Sequence, residues 1–162
     1  MFNVEFTAEE LAKIQAVEAA QESAEEARNK AAEVAYKKAL AEVGWDKRKL
    51  IVHTMPDGFG GAVIHKIPAY GAWALLDKRI MKALTSDGKK DDYTAAVTGL
   101  IELPELLMHP SLPELQQYRD ELPGLYGQIK STMDARVEHG NYAGKSRTSS
   151  SKQGVRPTPA QG

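Results

Sequence analysis

The first third of the chain has the apolar spacing of one long helix. Residues 7–43 contain neither Gly nor Pro, Ala is their commonest residue, and apolar side chains recur at intervals of three or four positions. Thr7 and Glu10 have the spacing of a capping box, and Gly44 suits the position that follows a helix C-terminus. The pattern therefore predicts a helix over residues 7–43. Its apolar stripe consists of Leu11, Ile14, Val17, Ala20 or Ala24, Ala27, Ala31 and Val34.

This helix is long for a chain of 162 residues. At ~1.5 Å per residue it extends roughly 55 Å, which exceeds the width of a domain of this size. Part of it must therefore project, bend or pack on something else. Two interpretations stay open, because the middle of the stripe offers only small side chains that bury little area. One is a solvated helix with a single buried end, and the other is a coiled-coil-like or partner-binding face.

Two β-branched runs follow, at residues 49–55 and 62–67, and they flank the glycine-rich segment 56–61. This arrangement predicts a β-hairpin, which is only marginally stable alone and must lie on a helix or join another sheet. A five-residue loop, Asp57 to Gly61, places His53 directly opposite His65 on one face. A six-residue loop places the two histidines on opposite faces.

Helical spacing returns after Pro68 and predicts three or four short helices. The first ends at a break near residues 85–88, and the second begins at Asp91. Pro104 marks a kink or restart before the apolar run 106–108, and Ser111 with Glu114 forms a second capping-box signature. The inward positions are Trp73, Leu76, Ile80, Leu84, Tyr93, Val97, Leu100, Ile101, Leu125, Ile129, Thr132 or Met133, and Val137.

The fold class predicted from these elements is mainly α (α+β). It combines a long N-terminal helix, one β-hairpin and a small bundle of three to four short helices. Three regions follow from the pattern: a helical arm at residues 1–44, a hairpin with a helical bundle at 45–138, and a tail at 139–162. The tail is rich in Gly, Ser and Pro and has basic but no acidic residues, so we expect it to be disordered.

Composition narrows the classes of function. The 21 Lys and Arg residues balance 22 Asp and Glu residues, so no overall charge favours nucleic acid or an anionic membrane, and only the basic tail offers a weak local exception. The chain has no Cys, which excludes disulfides, thiolate nucleophiles and Cys-based metal sites. No apolar run approaches the ~18 residues of a membrane span. We expect a soluble protein that does not contact a membrane.

Motifs of catalysis are missing from the sequence. It contains no G-x-S-x-G elbow and no phosphate-binding loop of the G-x-x-x-x-G-K-[ST] type. His53 and His65 have no third ligand at a suitable spacing, which makes them a weak metal signal. We therefore predict that the protein is not an enzyme and needs neither a cofactor nor a metal.

Several short motifs follow one another in a specific order. The second predicted strand ends in Ile67-Pro68, and a Trp-containing helix, a charged break, the segment LLMHPSLPE at 106–114 and the segment LPGL at 122–125 come after it. This order resembles that of the tail assembly chaperones of tailed bacteriophages, over roughly residues 49–133. The resemblance implies a non-enzymatic cytoplasmic factor that binds apolar helices of the tape measure protein, limits its aggregation and helps to recruit tail tube subunits. The long N-terminal helix departs from that family's pattern, and the matching positions are structural turns, so no binding residue is carried over.

The resulting hypothesis is a phage morphogenesis factor in the host cytoplasm, homo-oligomeric, with a tape measure or tail tube protein as its partner. The alternative is a component of the virion, such as a connector, scaffold or capsid-associated protein, that uses the long helix and the hairpin as permanent contacts. In either case partner binding is predicted at two places, the helix stripe and a groove on the bundle. The residues concerned are Leu11, Ile14, Val17, Ala24, Ala31 and Val34 on the stripe, and Trp73, Leu76, Ile80, Val97, Leu100 and Ile101 on the bundle.

Overall fold

The computed structural model describes residues 5–85 and 90–137. Most of the predicted break at 85–88 lies outside these residues. The whole of the predicted tail at 139–162 lies outside them as well. The elements are helix α1 (Ala8–Glu42), a short 3-10 turn (Lys47–Lys49), strands β1 (Leu50–Thr54) and β2 (Ala62–Lys66), helices α2 (Tyr70–Thr85) and α3 (Lys90–Ile101), strand β3 (Leu107–His109), and helices α4 (Leu112–Glu121) and α5 (Leu125–Val137). This order confirms the predicted mainly α architecture with a long N-terminal helix and a hairpin.

Helix α1 begins and ends at the predicted signals. The Thr7 side chain accepts a hydrogen bond from the Glu10 amide at 3.1 Å, and the Glu10 carboxylate accepts one from the Thr7 amide at 2.9 Å. The bond from the Thr7 amide, together with the Thr7 side chain, lowers the pKa of the Glu10 carboxyl, because both contacts favour its charged form. At the other end Gly44 has a φ of 70°, a value that favours glycine and ends the helix.

The hairpin belongs to a three-stranded antiparallel sheet with the order β1-β2-β3. The helical kink or restart predicted at residues 106–108 is wrong, since Leu107–His109 forms the third strand. Pro104 ends the preceding helical segment, and the free edge of β2 offers hydrogen-bonding groups that the next extended residues satisfy. The third strand and the helices packed on the sheet give the hairpin the support that it lacks alone.

The register of the hairpin differs from both predicted loop lengths. Thr54 lies opposite Ala62, so the connection comprises residues 55–61, and His53 lies opposite Val63. His65 is opposite Ile51, which places the two histidines diagonally on the same face of the sheet. The connection is longer than expected because Gly58, Gly60 and Gly61 all adopt positive φ values and lead the chain over helix α1.

The two faces of the sheet have separate apolar layers. Ile51 and Val63 point to one face and join the main core, which α2, α3, α4 and α5 complete. Leu50 and Ile64 point to the other face, where they pack against Ala39 and Leu40 of α1. The sheet is therefore covered by α1 on one side and by the helical bundle on the other.

The second predicted capping box does not form. Ser111 is the N-cap of α4, but its hydroxyl donates to the Glu114 carboxylate at 3.0 Å instead of accepting a backbone amide. The two residues occupy the predicted helix start, so the position of the signal is correct and its hydrogen-bond pattern is wrong.

Candidate partner-binding surface

Helix α1 is held to the body by the hairpin loop. The Gly58 amide donates to the Glu25 carboxylate at 2.8 Å, and the Gly61 amide donates to the Asn29 side chain at 2.7 Å. A Cβ on Gly60 would lie 2.7 Å from the Glu25 carbonyl oxygen, so loop and helix touch backbone to backbone at this point. The loop therefore fixes the place where α1 leaves the body.

Arg28 is the central side chain of this attachment. Its guanidinium donates to the Phe59 carbonyl at 3.0 Å and lies 4.0 Å from the centre of the Phe59 ring. The Phe59 ring meets Tyr118 of α4 edge to face at 5.0 Å, and the Tyr118 ring centre is 5.6 Å from the guanidinium. One cation thus connects α1, the hairpin loop and α4.

Replacing Arg28 with Met is expected to lower the free energy of unfolding by about 2 kcal/mol, since a charge-assisted hydrogen bond and a cation–π contact are lost together. Urea denaturation followed by circular dichroism measures this loss. Lys37→Met is the matched control, because Lys37 is an exposed cation on the same helix. Equal midpoints for the two variants would contradict the role given to Arg28.

Before this attachment α1 projects from the body as an arm, which we define as residues 8–24. Side chains of residues 5–23 are exposed. Among them are Leu11, Ile14 and Val17, whose exposed fractions lie between 37% and 56%. The arm therefore keeps an apolar face in contact with solvent.

After the attachment a groove runs between α1 and strand β3. Its larger part has a volume of about 710 Å³ and continues, past Ala31 and His109, into a smaller part of about 190 Å³. We call it the α1–β3 groove. Its apolar lining comes mostly from short side chains of α1 and from β3 with the turn before it, namely Ala27, Ala31, Val34, Ala35, Ala39, Pro104, Leu107 and Met108.

Lysines surround the larger part of the α1–β3 groove. Lys30 and Lys38 lie on the helix, and Lys66 extends from β2. The acidic residues along the same lining are Glu42 and Glu105. The excess of cations favours an occupant with carboxylates beside its apolar face.

The opposite edge of the sheet is less accessible. Arg136 of α5 donates to the Leu50 carbonyl at 3.2 Å and to the Lys47 carbonyl at 2.9 Å, which occupies one backbone acceptor at the start of β1 and one in the turn before it. Side-chain cover of this kind reduces pairing with another chain. The β3 side, beside the groove, is therefore the better place for a partner.

The predicted binding residues of the bundle lie inside the core. Trp73, Ile80, Val97, Leu100 and Ile101 are at most 5% exposed, and Leu76 is partly buried against them. A partner helix could reach these side chains only by opening the core. They fill the space between α2, α3, α5 and the sheet.

The predicted stripe on α1 is exposed over much of its length and is divided between the groove and the arm. Ala31 and Val34 line the α1–β3 groove, while Leu11, Ile14 and Val17 lie on the arm. Ala24 is half-buried beside the hairpin attachment. Sequence reasoning missed the other wall of the groove, which consists of Pro104, Leu107, Met108 and Lys66, because only the pairing of β3 with β2 brings this wall to α1.

The buried ionisable side chains form pairs within the body. The Tyr126 hydroxyl donates to the Glu102 carboxylate at 2.7 Å, and Arg119 donates to the same oxygen at 3.3 Å. Burial and the Glu102 carboxylate raise the pKa of Tyr126. Lys130, which is buried, donates to Asp134 at 2.6 Å. The Glu102 contacts join α4 and α5 to the end of α3, whereas the Lys130–Asp134 pair lies within α5.

Two histidines lie on the bundle side of the sheet, where His65 is fully buried and His53 is half-buried. His65 Nε2 lies 2.8 Å from the Ile101 carbonyl oxygen, and His53 Nδ1 lies 2.8 Å from the Thr132 hydroxyl.

Within residues 5–85 and 90–137 no group of three His, Cys, Asp or Glu side chains is placed to hold a metal ion. In the same part of the chain no helix has the length and apolar character needed to cross a membrane.

Comparison of the chain with protein-family models, with curated protein sequences and with solved structures found no match. The geometry described above is therefore the basis of the functional proposal, together with the resemblance in motif order.

Proposed function

We propose that this protein is a non-enzymatic assembly chaperone that holds an amphipathic helix of a partner protein in the α1–β3 groove. The observation that carries the proposal is the groove itself, a long depression with an apolar lining and lysines along its sides. The motif order shared with phage tail assembly chaperones makes the tape measure protein the proposed partner. Host cytoplasm is the proposed place of action.

The lining of the groove suits a helix. Ala27, Ala31 and Ala35 follow one another at intervals of four on α1, and their short side chains allow a second helix to approach closely. Leu107 and Met108 provide larger apolar contacts from the strand. Binding of an amphipathic helix in an apolar groove is a common mode of peptide recognition, and the flexible Met side chain adapts to different partner side chains.

A packed apolar layer lies below the groove. Ile64 of β2 and Leu50 of β1 are buried beneath α1, and Met108 packs against the same layer. The Arg28 attachment holds the helix at the other end of the groove. A partner helix therefore meets two walls whose separation is set by packing within this chain.

The test is coexpression with an apolar helical segment of a tape measure protein. The segment should become soluble and co-elute with this protein in size-exclusion chromatography. Val34→Lys, which places a long cationic side chain on the exposed groove wall, should weaken binding at least tenfold, which corresponds to about 1.4 kcal/mol. Isothermal titration calorimetry with the isolated segment measures the change.

Leu75→Lys is the control, because Leu75 is 64% exposed on α2 and does not line the groove. It should bind like the wild type. If the wild-type protein changes neither the solubility nor the elution volume of the segment, the proposed function is wrong.

A virion component is the second candidate, favoured by the projecting arm with its exposed Leu11, Ile14 and Val17. A permanent contact in a particle would cover such a face. Mass spectrometry of purified particles separates the two candidates, since a chaperone should be missing from them and a virion component should be present in many copies.

A further inference from the structure

The arm and the α1–β3 groove have matching lengths. The arm, residues 8–24, is about 25 Å long, and the groove follows α1 from Ala27 to Glu42 over about 24 Å at the same rise per residue. Both belong to one continuous helix, so they lie end to end and the arm of a molecule cannot fold into its own groove while that helix stays intact. A second copy can place its arm there.

The chemistry of the two parts is also complementary. The arm has exposed Leu11, Ile14 and Val17, which need apolar cover, and the groove has an apolar lining that is open to solvent. Acidic residues outnumber basic ones on the arm, with Glu9, Glu10, Glu18 and Glu22 against Lys13. The groove has the opposite excess, with Lys30, Lys38, Lys66 and Arg28 against Glu42, Glu105 and Glu114.

The basic tail of the chain is a poorer occupant. Residues 139–162 contain Lys and Arg but no Asp or Glu, so they have the same sign of charge as the lysines of the groove. Charge of like sign across an interface is unfavourable. The arm is therefore the segment of this protein that fits the groove best.

A twofold axis lets each of two copies place its arm in the groove of the other. When two α1 helices run antiparallel, the arm of each copy lies beside residues 27–42 of the other, and the two contacts are identical by symmetry. If Val17 faces Ala31 of the second copy, Ile14 faces Val34 and the axis passes Ala24. The small side chains along this line allow the two helices to approach closely.

We infer that the protein forms an antiparallel homodimer in which the arm of each copy occupies the α1–β3 groove of the other. The dimer covers the apolar arm and the groove in the absence of a partner. A partner helix that binds in the groove displaces the arm, and this regulatory part of the inference rests on the function proposed above.

The dimer is tested first on the protein alone. Light scattering coupled to size-exclusion chromatography should give twice the chain mass of 17.7 kDa. Ile14→Lys should halve the measured mass, because it places a charge within the covered face of the arm. Leu75→Lys should leave the dimer intact, since Leu75 is exposed on α2 away from both parts. If the wild type and Leu75→Lys both have the mass of a single chain, the inference is overturned.

Engineered cysteines test the antiparallel arrangement. The chain has no Cys of its own, so the introduced thiols are the only ones that can form a disulfide. The double variant Val17→Cys/Ala31→Cys should form a disulfide between copies, and Ala24→Cys should do so alone. Within one chain positions 17 and 31 are about 21 Å apart on the helix, too far for a disulfide. Val17→Cys alone should not crosslink, and crosslinking of this single variant at the rate of the double variant would overturn the antiparallel arrangement. A dimer in which neither expected disulfide forms overturns it as well.

Displacement of the arm by a partner helix is tested by a separate measurement, the affinity for the tape measure segment. Ile14→Lys removes the arm from the groove but leaves the groove unchanged, so it should bind the tape measure segment several-fold more tightly than the wild type. Val34→Lys changes the groove and should weaken both the dimer and the binding of the segment. If the protein is a dimer but binds no segment, the proposed function fails while the dimer stands. If Ile14→Lys is monomeric and binds the segment no more tightly, the displacement fails while the proposed function stands.

Discussion

Replacing Gly60 with Ala is expected to push α1 off the hairpin loop and to lower the free energy of unfolding by at least about 3 kcal/mol. Gly60 has a φ of 81°, a conformation that is strained for any residue with a Cβ, and the new Cβ would lie 2.7 Å from the backbone oxygen of Glu25. That oxygen belongs to the helix backbone, so relief requires the hairpin loop and α1 to move apart. The shift would also break the hydrogen bonds from Gly58, Gly61 and Arg28.

Gly58→Ala is the matched control for this prediction. Gly58 has a φ of 90°, but a Cβ at this position has no atom within 4 Å. The control therefore measures the cost of the backbone conformation alone, about 1–2 kcal/mol. Urea denaturation should separate the two variants clearly, and equal losses of stability would show that contact between the loop and α1 has no part in the effect.

Acidification from pH 7 to pH 5 is expected to destabilise the protein, with His65 as the main cause. Its side chain is buried, and burial lowers its pKa below the usual value. The Ile101 carbonyl can only accept a hydrogen bond, so Nε2 carries the proton, and Nδ1 has no hydrogen-bond partner among the described residues. A second proton on Nδ1 would therefore place a charge in the core without compensation.

The direction of this pH dependence follows from the pKa of His65 in the unfolded chain and its lower pKa in the folded protein. In the unfolded chain the histidine has a pKa of about 6.5 and takes up a proton below this pH, whereas in the folded protein the lowered pKa keeps it neutral. The unfolded state then binds more protons, and the free energy of unfolding falls as the pH decreases below about 6.5, by up to ~1.4 kcal/mol per pH unit for each such histidine. Above pH 7 the contribution is constant.

His65→Gln, which retains an amide donor for the Ile101 carbonyl, should reduce this pH dependence although it lowers stability at pH 7. Burial also lowers the pKa values of His53 and His109, so part of the dependence should remain in the variant. Denaturation midpoints at half-unit steps from pH 7.5 to pH 5 provide the measurement. Parallel curves for wild type and variant would exclude His65 as the cause.

Local signals in the sequence predicted local structure well. The capping box of Thr7 and Glu10 and the helix end at Gly44 each depend on residues within a few positions of one another, and both are confirmed. The strand positions of the hairpin are likewise confirmed, because β-branched runs flank a glycine-rich turn. The hairpin register was predicted wrongly, since it depends on the contact of Gly60 with Glu25, a residue far away in sequence.

Long-range pairing explains the other differences. Leu107–His109 is too short to show a strand period, and it becomes a strand because the edge of β2 is available. The apolar faces of α2 and α3 were assigned to a partner, whereas they cover each other and the sheet. Periodicity identifies an apolar face but not its neighbour, so the sequence predicted the stripe of the candidate site and not the wall opposite it.

The attachment of α1 near Glu25 has a consequence for local stability. Residues after this point are held by the sheet through Ala32, Ala39 and Leu40, whereas the described residues before it are held by their own helical hydrogen bonds, the Thr7 cap and the exposed Lys13–Glu9 ion pair. An isolated helix of the arm's length is marginal in water. In a single copy, one continuous helix therefore contains two cooperative units, and the first of them can unwind and re-form many times while the rest of the protein stays folded, until the groove of a second copy covers it.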